Sequence, residues 1–112
     1  MASILVVEEN AGSHEVLRSA LVIAGHDVVV SGPAFPRGRF DLVLVDCRGE
    51  TARAVVGEVS RRASRVVLYR DAEEAELKRQ AQQAGAAGYL TRSSSPRALL
   101  DEVHRLLELR AP

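Results

Sequence analysis

The chain has 112 residues, 46% of them hydrophobic, which suits one packed domain and excludes a disordered chain. Its 15 Lys and Arg balance 15 Asp and Glu, and that zero formal charge argues against a nucleic-acid binder, which carries a basic excess. Cys47 is the single cysteine, so neither an internal disulfide nor a CxxC zinc site can form.

Ile4-Leu5-Val6-Val7 is a continuous apolar run that reads as a strand buried on both faces. Met1-Ala2-Ser3 leads straight into it without a charged n-region, and no apolar run is long enough to span a bilayer. A cytoplasmic protein without membrane attachment is the expectation. Asn10 or Ser13 is placed to cap a helix carrying Val16, Leu17, Ala20, Leu21 and Ala24, with Gly25 as its stop. Asp27-Val28-Val29-Val30 is a second strand. Residues 31–38 contain two prolines and two glycines and cannot form an ordinary helix. Leu42-Val43-Leu44-Val45 is a third buried strand, ending at Asp46.

Residues 51–63 have helical character, with Ala54, Val55 and Val59 as the apolar stripe. Val66-Val67-Leu68-Tyr69 is a fourth strand. Asp71 is expected to cap a helix with Glu73 and Glu74 in its first turn, running to Ala84 and stopping at Gly85. Tyr89-Leu90-Thr91 is a short fifth strand. Ser95 caps the last helix with Pro96 in first position, and Leu99, Leu100, Val103, Leu106 and Leu107 form a wide apolar stripe. Arg110-Ala111-Pro112 reads either as the true end or as the start of a linker.

Alternating strands and helices, with β-branched strands, predict an α/β fold over residues 1–112 with a mostly parallel sheet covered on both faces. Such sheets bind ligands at the carboxyl ends of their strands. Glu8 and Glu9 follow the first strand, Asp46 ends the third, Arg70 follows the fourth and Arg92 the fifth. Asp27 and Asp41 precede their strands and belong to the opposite edge as turn or solubilising residues. Three carboxylates at one edge need positive charge. Mg²⁺ is one solution, through one or two carboxylates plus water and phosphate oxygens. The guanidiniums of Arg70 and Arg92 are another.

Other chemistry finds little support. His14-Glu15 begins an HExxH pattern, but Arg18 stands where the second His is required. His26 and His104 have no partners at ligand spacing. Cys47, beside Asp46, reads as an unreactive small residue, with a reactive edge thiol as the alternative. No GxGxxG, P-loop or GxSxG motif occurs.

Ile4-Leu5-Val6-Val7-Glu8-Glu9-Asn10 resembles the first strand and acidic pair of response-regulator receiver domains, the CheY-like family. Asp41-Leu42-Val43-Leu44-Val45-Asp46 resembles their third strand and phosphorylated aspartate, and Ala84-Gly85-Ala86-Ala87-Gly88-Tyr89-Leu90 their approach to the fifth strand. The resemblance covers the whole chain in order. It implies a flavodoxin-like three-layer sandwich with strand order 2-1-3-4-5, which sets Glu8 and Glu9 beside Asp46. It also implies phosphoryl transfer from a histidine kinase to Asp46, assisted by Mg²⁺ at Glu8, Glu9 and Asp46. Tyr89 matches the aromatic residue that the family repositions on activation, on its usual partner face.

The chain departs from that pattern at its active edge. Glu9 stands where Asp is usual. Arg70 takes the Ser/Thr position, with Tyr69 there if the register slips by one. Arg92 takes the Lys position, and Ser93 replaces a proline. Residues 32–38 replace the second helix, and Cys47-Arg48-Gly49 replaces the usual Met-Pro-type turn. An atypical receiver, or pseudoreceiver, has this appearance. The leading expectation is a non-enzymatic signalling module with altered or lost phosphorylation. It would act through protein partners (a histidine kinase or a downstream signalling protein) as a monomer or weak dimer. A conventional receiver phosphorylated on Asp46 is the second, and a small α/β ligand-binding domain or enzyme the third.

Overall fold

The computed structural model describes residues 2–9, 15–34, 36–91 and 95–108. The elements run β1 (Ser3–Glu8), α1 (Glu15–Ile23), β2 (Asp27–Ser31), β3 (Leu42–Asp46), α2 (Gly49–Val59), β4 (Val66–Arg70), α3 (Glu74–Ala84), β5 (Gly88–Thr91) and α4 (Pro96–Glu108). All strand pairings are parallel, in the order β2-β1-β3-β4-β5. The expected flavodoxin-like topology is therefore present.

Successive strand residues point to opposite faces, so each apolar run feeds two cores. Ile4, Val6, Leu42, Leu44, Val67, Tyr69 and Leu90 pack against Leu17 and Leu21 of α1 and Leu99, Val103 and Leu106 of α4. Leu5, Val7, Val43, Val45, Val66 and Leu68 pack against Val55, Val56 and Val59 of α2 and Leu77 and Ala81 of α3.

No helix lies between β2 and β3 among the described residues. The described residues of the segment, 32–34 and 36–41, form a strap instead, as its prolines and glycines require. Leu5 pairs with Val29, so Val29 faces the α2/α3 side of the sheet. That side chain is 42% exposed, as follows from the missing helix.

Three local expectations need correction. The helix expected over residues 51–63 occupies Gly49–Val59, with Arg48 as its extended N-cap. Asp71 does not cap α3; Glu73 holds that position without a side-chain cap bond, and the first turn carries Glu74 and Glu76. Pairing of Arg70 with Thr91 prolongs β4 and delays the helix start. Asp41 is more than a turn residue, because its Oδ2 accepts a 2.8 Å hydrogen bond from the Ser3 N–H and pins the start of β1. Gly85 has φ +80 and ends α3 as expected, and Ser95 Oγ accepts from the Ala98 N–H at the start of α4. Asn10 and Ser13 lie outside the described residues.

Candidate functional site

Glu8 ends β1 and Asp46 ends β3, and the two are paired in register. The Glu9 N–H donates to the Asp46 carbonyl at 3.3 Å. Topology thus brings the acidic pair and the candidate phosphoacceptor together. Glu8 is buried, while Glu9 is exposed and turns its carboxylate to the loop that follows β3. Glu9 Oε1 accepts a 2.6 Å hydrogen bond from the Arg48 N–H, tying β1 to the entrance of α2. Among the described residues, no three His, Cys, Asp or Glu side chains form a group able to hold a metal ion.

Arg70 extends from the end of β4 toward Asp46. Its Nε lies 3.8 Å from Asp46 Oδ1, and the two side chains are only 12% and 18% exposed. The distance makes this a charge contact rather than a hydrogen bond. Arg70 Nη1 donates instead to Gln80 Oε1 at 2.5 Å, and Gln80 Nε2 donates to Glu76 Oε1 at 3.0 Å. Glu76 also pairs with Arg79. A polar chain therefore runs from Asp46 through Arg70 and Gln80 onto α3. Sequence reasoning missed Gln80 and Glu76; their i, i+4 spacing on a helix beside β4 was the available signal. Tyr69, the alternative for the Ser/Thr position, is buried in the core under α1 and α4, so the register favours Arg70.

A cleft of about 500 Å³ opens at this edge between α2 and α3, lined by Cys47, Arg48, Arg53, Leu68, Arg70 and Gln80. Cys47 is 1% exposed. Burial, with the Glu9 and Asp46 charges nearby, pushes its thiol up to about 12, against a smaller opposing pull from Arg70. Cys47 is thus not an exposed edge thiol, and its burial agrees with the unreactive reading.

Tyr89 sits half-buried on β5, the edge strand, and its hydroxyl donates to Glu74 Oε1 at 3.0 Å. That bond is the main reason its ionisation is pushed upward. Arg92 and Ser93 lie outside the described residues, as does His14. His26 and His104, which no spacing linked, meet across the fold with their Nε2 atoms 3.0 Å apart. The Ala2 N–H donates to His26 Nδ1 at 3.1 Å. This places the His26 proton on Nε2, from which it is donated to His104, and leaves His26 no free lone pair for a metal.

No family model matches the chain, and no curated protein matches it in sequence. Solved structures do. The chemotaxis protein CheY4 of Vibrio cholerae superposes with a TM-score of 0.76 at 21% identity, covering 95% of this chain and 98% of that one. The HemR receiver domain of Leptospira biflexa gives 0.74 at 20% identity, over 100% and 98%. A response regulator receiver protein from Burkholderia phymatum gives 0.73 at 21%, over 100% and 99%. At such identities the likeness establishes the fold, which is that of CheY-like receiver domains. No helix among the described residues is long and apolar enough to cross a membrane.

Proposed function

We propose that the chain is a receiver-type module of two-component signalling that works through protein contacts, with its active edge held in one state by Arg70. The observation that carries this reading is the Arg70–Asp46 contact, shielded from solvent and anchored through Gln80. A guanidinium there supplies permanently the positive charge that a bound metal would otherwise bring. The donor set suits Mg²⁺ poorly: Glu9 is engaged by the Arg48 N–H, and Arg70 stands beside Asp46. Arg92, at the Lys position, belongs to the same proposed set. The module is non-enzymatic and cytoplasmic in this reading. Its partners are a histidine kinase or a downstream signalling protein, met on the surface that includes Tyr89.

The second reading, phosphorylation of Asp46 by a histidine kinase, is favoured by one observation. Asp46 stands at the carboxyl end of β3 in register with Glu8 and is not sealed from solvent. Incubation with Mg²⁺ and acetyl phosphate, followed by intact-mass measurement, separates the two. No stoichiometric adduct is expected. An adduct that disappears in Asp46→Asn would refute the fixed-edge reading. The combination Glu9→Asp, Arg70→Thr and Arg92→Lys is expected to gain phosphorylation.

A further inference from the structure

A helix crossing from β2 to β3 would fill a layer about 10 Å thick beside α2. The strap does not fill it. A groove of about 760 Å³ remains between strap and helix, lined by Pro33, Ala34, Arg37, Arg39, Glu58 and Arg62. Its inner end is closed by backbone pairing: the Phe40 N–H donates to the Arg62 carbonyl at 2.8 Å, and the Ser64 N–H to the Phe40 carbonyl at 3.1 Å. Arg61 joins Arg39 and Arg62 around an adjoining depression.

Four guanidiniums thus meet two carboxylates, Glu58 and Asp41, and Asp41 is committed to the Ser3 N–H. Arg61 and Arg62 have a structural reason to be here, since they follow the C-terminus of α2, where the helix dipole favours cations. Arg37 and Arg39 have none. They belong to the strap, are exposed, and make no ion pair or side-chain hydrogen bond with a described residue. The whole chain is formally neutral, so this basic groove is a local excess.

We propose that the groove is a docking site for an acidic peptide segment of a protein partner. Its carboxylates pair with Arg37 and Arg39, whose planar forks suit them, and an apolar side chain rests on Pro33 and Ala34. The volume is that of a ligand site for a peptide-sized group and far exceeds a lone phosphate. Glu58 on the rim opposes a uniformly charged polyanion and rewards a sequence that spaces its carboxylates. The groove flanks the amino ends of β3 and β4, away from Asp46, so the proposal stands independently of how the active edge works.

The test uses the full chain and a fluorescein-labelled decapeptide of alternating Glu and Leu, with a Gln-for-Glu control peptide and an oligothymidylate of equal length. Anisotropy is expected to show saturable binding of the acidic peptide only. Joint Arg37→Ala and Arg39→Ala substitution is expected to weaken it about tenfold or more, and Asp46→Asn to leave it unchanged. Equal binding of the Gln peptide, tighter binding of the oligonucleotide, or no saturation at millimolar peptide would overturn the proposal. Arginine Nε chemical shifts in the unsubstituted protein give a second readout. Peptide-induced changes should fall on Arg37 and Arg39; changes confined to Arg70 and Arg48 would place the peptide elsewhere and sink the assignment.

Discussion

Replacing Arg70 by Gln removes the cation beside Asp46 and leaves that carboxylate only 18% exposed. At 3.8 Å and an effective dielectric of about 20, the gross attraction is about 4 kcal/mol. Arg70 recovers hydration when the pair is broken in unfolding, and partial exposure lets water reach Asp46, so the net coupling is smaller, about 1–3 kcal/mol. For a domain of this size, a loss of about 2 kcal/mol lowers Tm by about 5–10 °C. The assay is a double-mutant cycle in urea with Arg70→Gln, Asp46→Asn and the double variant, repeated in high salt. The double variant should recover part of the loss, and the coupling should survive salt because the pair is shielded. A coupling below about 0.5 kcal/mol, or one abolished by salt, would reduce the contact to an ordinary surface ion pair. The fixed-edge reading would then lose its physical basis.

Three further outcomes follow from geometry elsewhere. Burial, His104 and the nearby N-terminus hold His26 below its ordinary 6.5, so the unfolded chain binds more protons in acid. This contribution to stability is fully present above about pH 6.5 and declines below it, and His104→Asn should flatten that decline in urea titrations at about pH 7.5 and pH 5. Leu77 is fully buried and is the only large buried side chain of α3, so Leu77→Ala should cost about 3 kcal/mol and raise amide exchange throughout that helix. Cys47 should resist an aromatic disulfide reagent in the native protein and react fully in denaturant; rapid native reaction would contradict its burial.

The sheet was legible because its strands are buried on both faces and so appear as unbroken apolar runs, as Leu42-Val43-Leu44-Val45 does. The convergence of Glu8, Asp46 and Arg70 was legible for a related reason, since topology alone brings the ends of parallel strands together. What escaped was decided by contacts between distant residues. α2 begins at Gly49 next to a backbone that Glu9 grips from 39 positions away. Local propensity around residue 48 carries no trace of that bond. Likewise His26 and His104 are 78 positions apart, and only the packed fold aligns their rings. Gln80 looked like one more polar residue on a helix surface until β4 placed Arg70 within its reach.

The strap carries one more consequence, concerning its main chain. A crossover helix satisfies its own peptide groups and can be covered by any complementary surface. At the described positions among residues 33–39, no backbone group bonds to another described backbone group. A dry, purely apolar lid would strand them at a cost of about 1–3 kcal/mol for each group left unpaired. A strap peptide group that faces a partner is best met by a peptide group from that partner or by a bridging water.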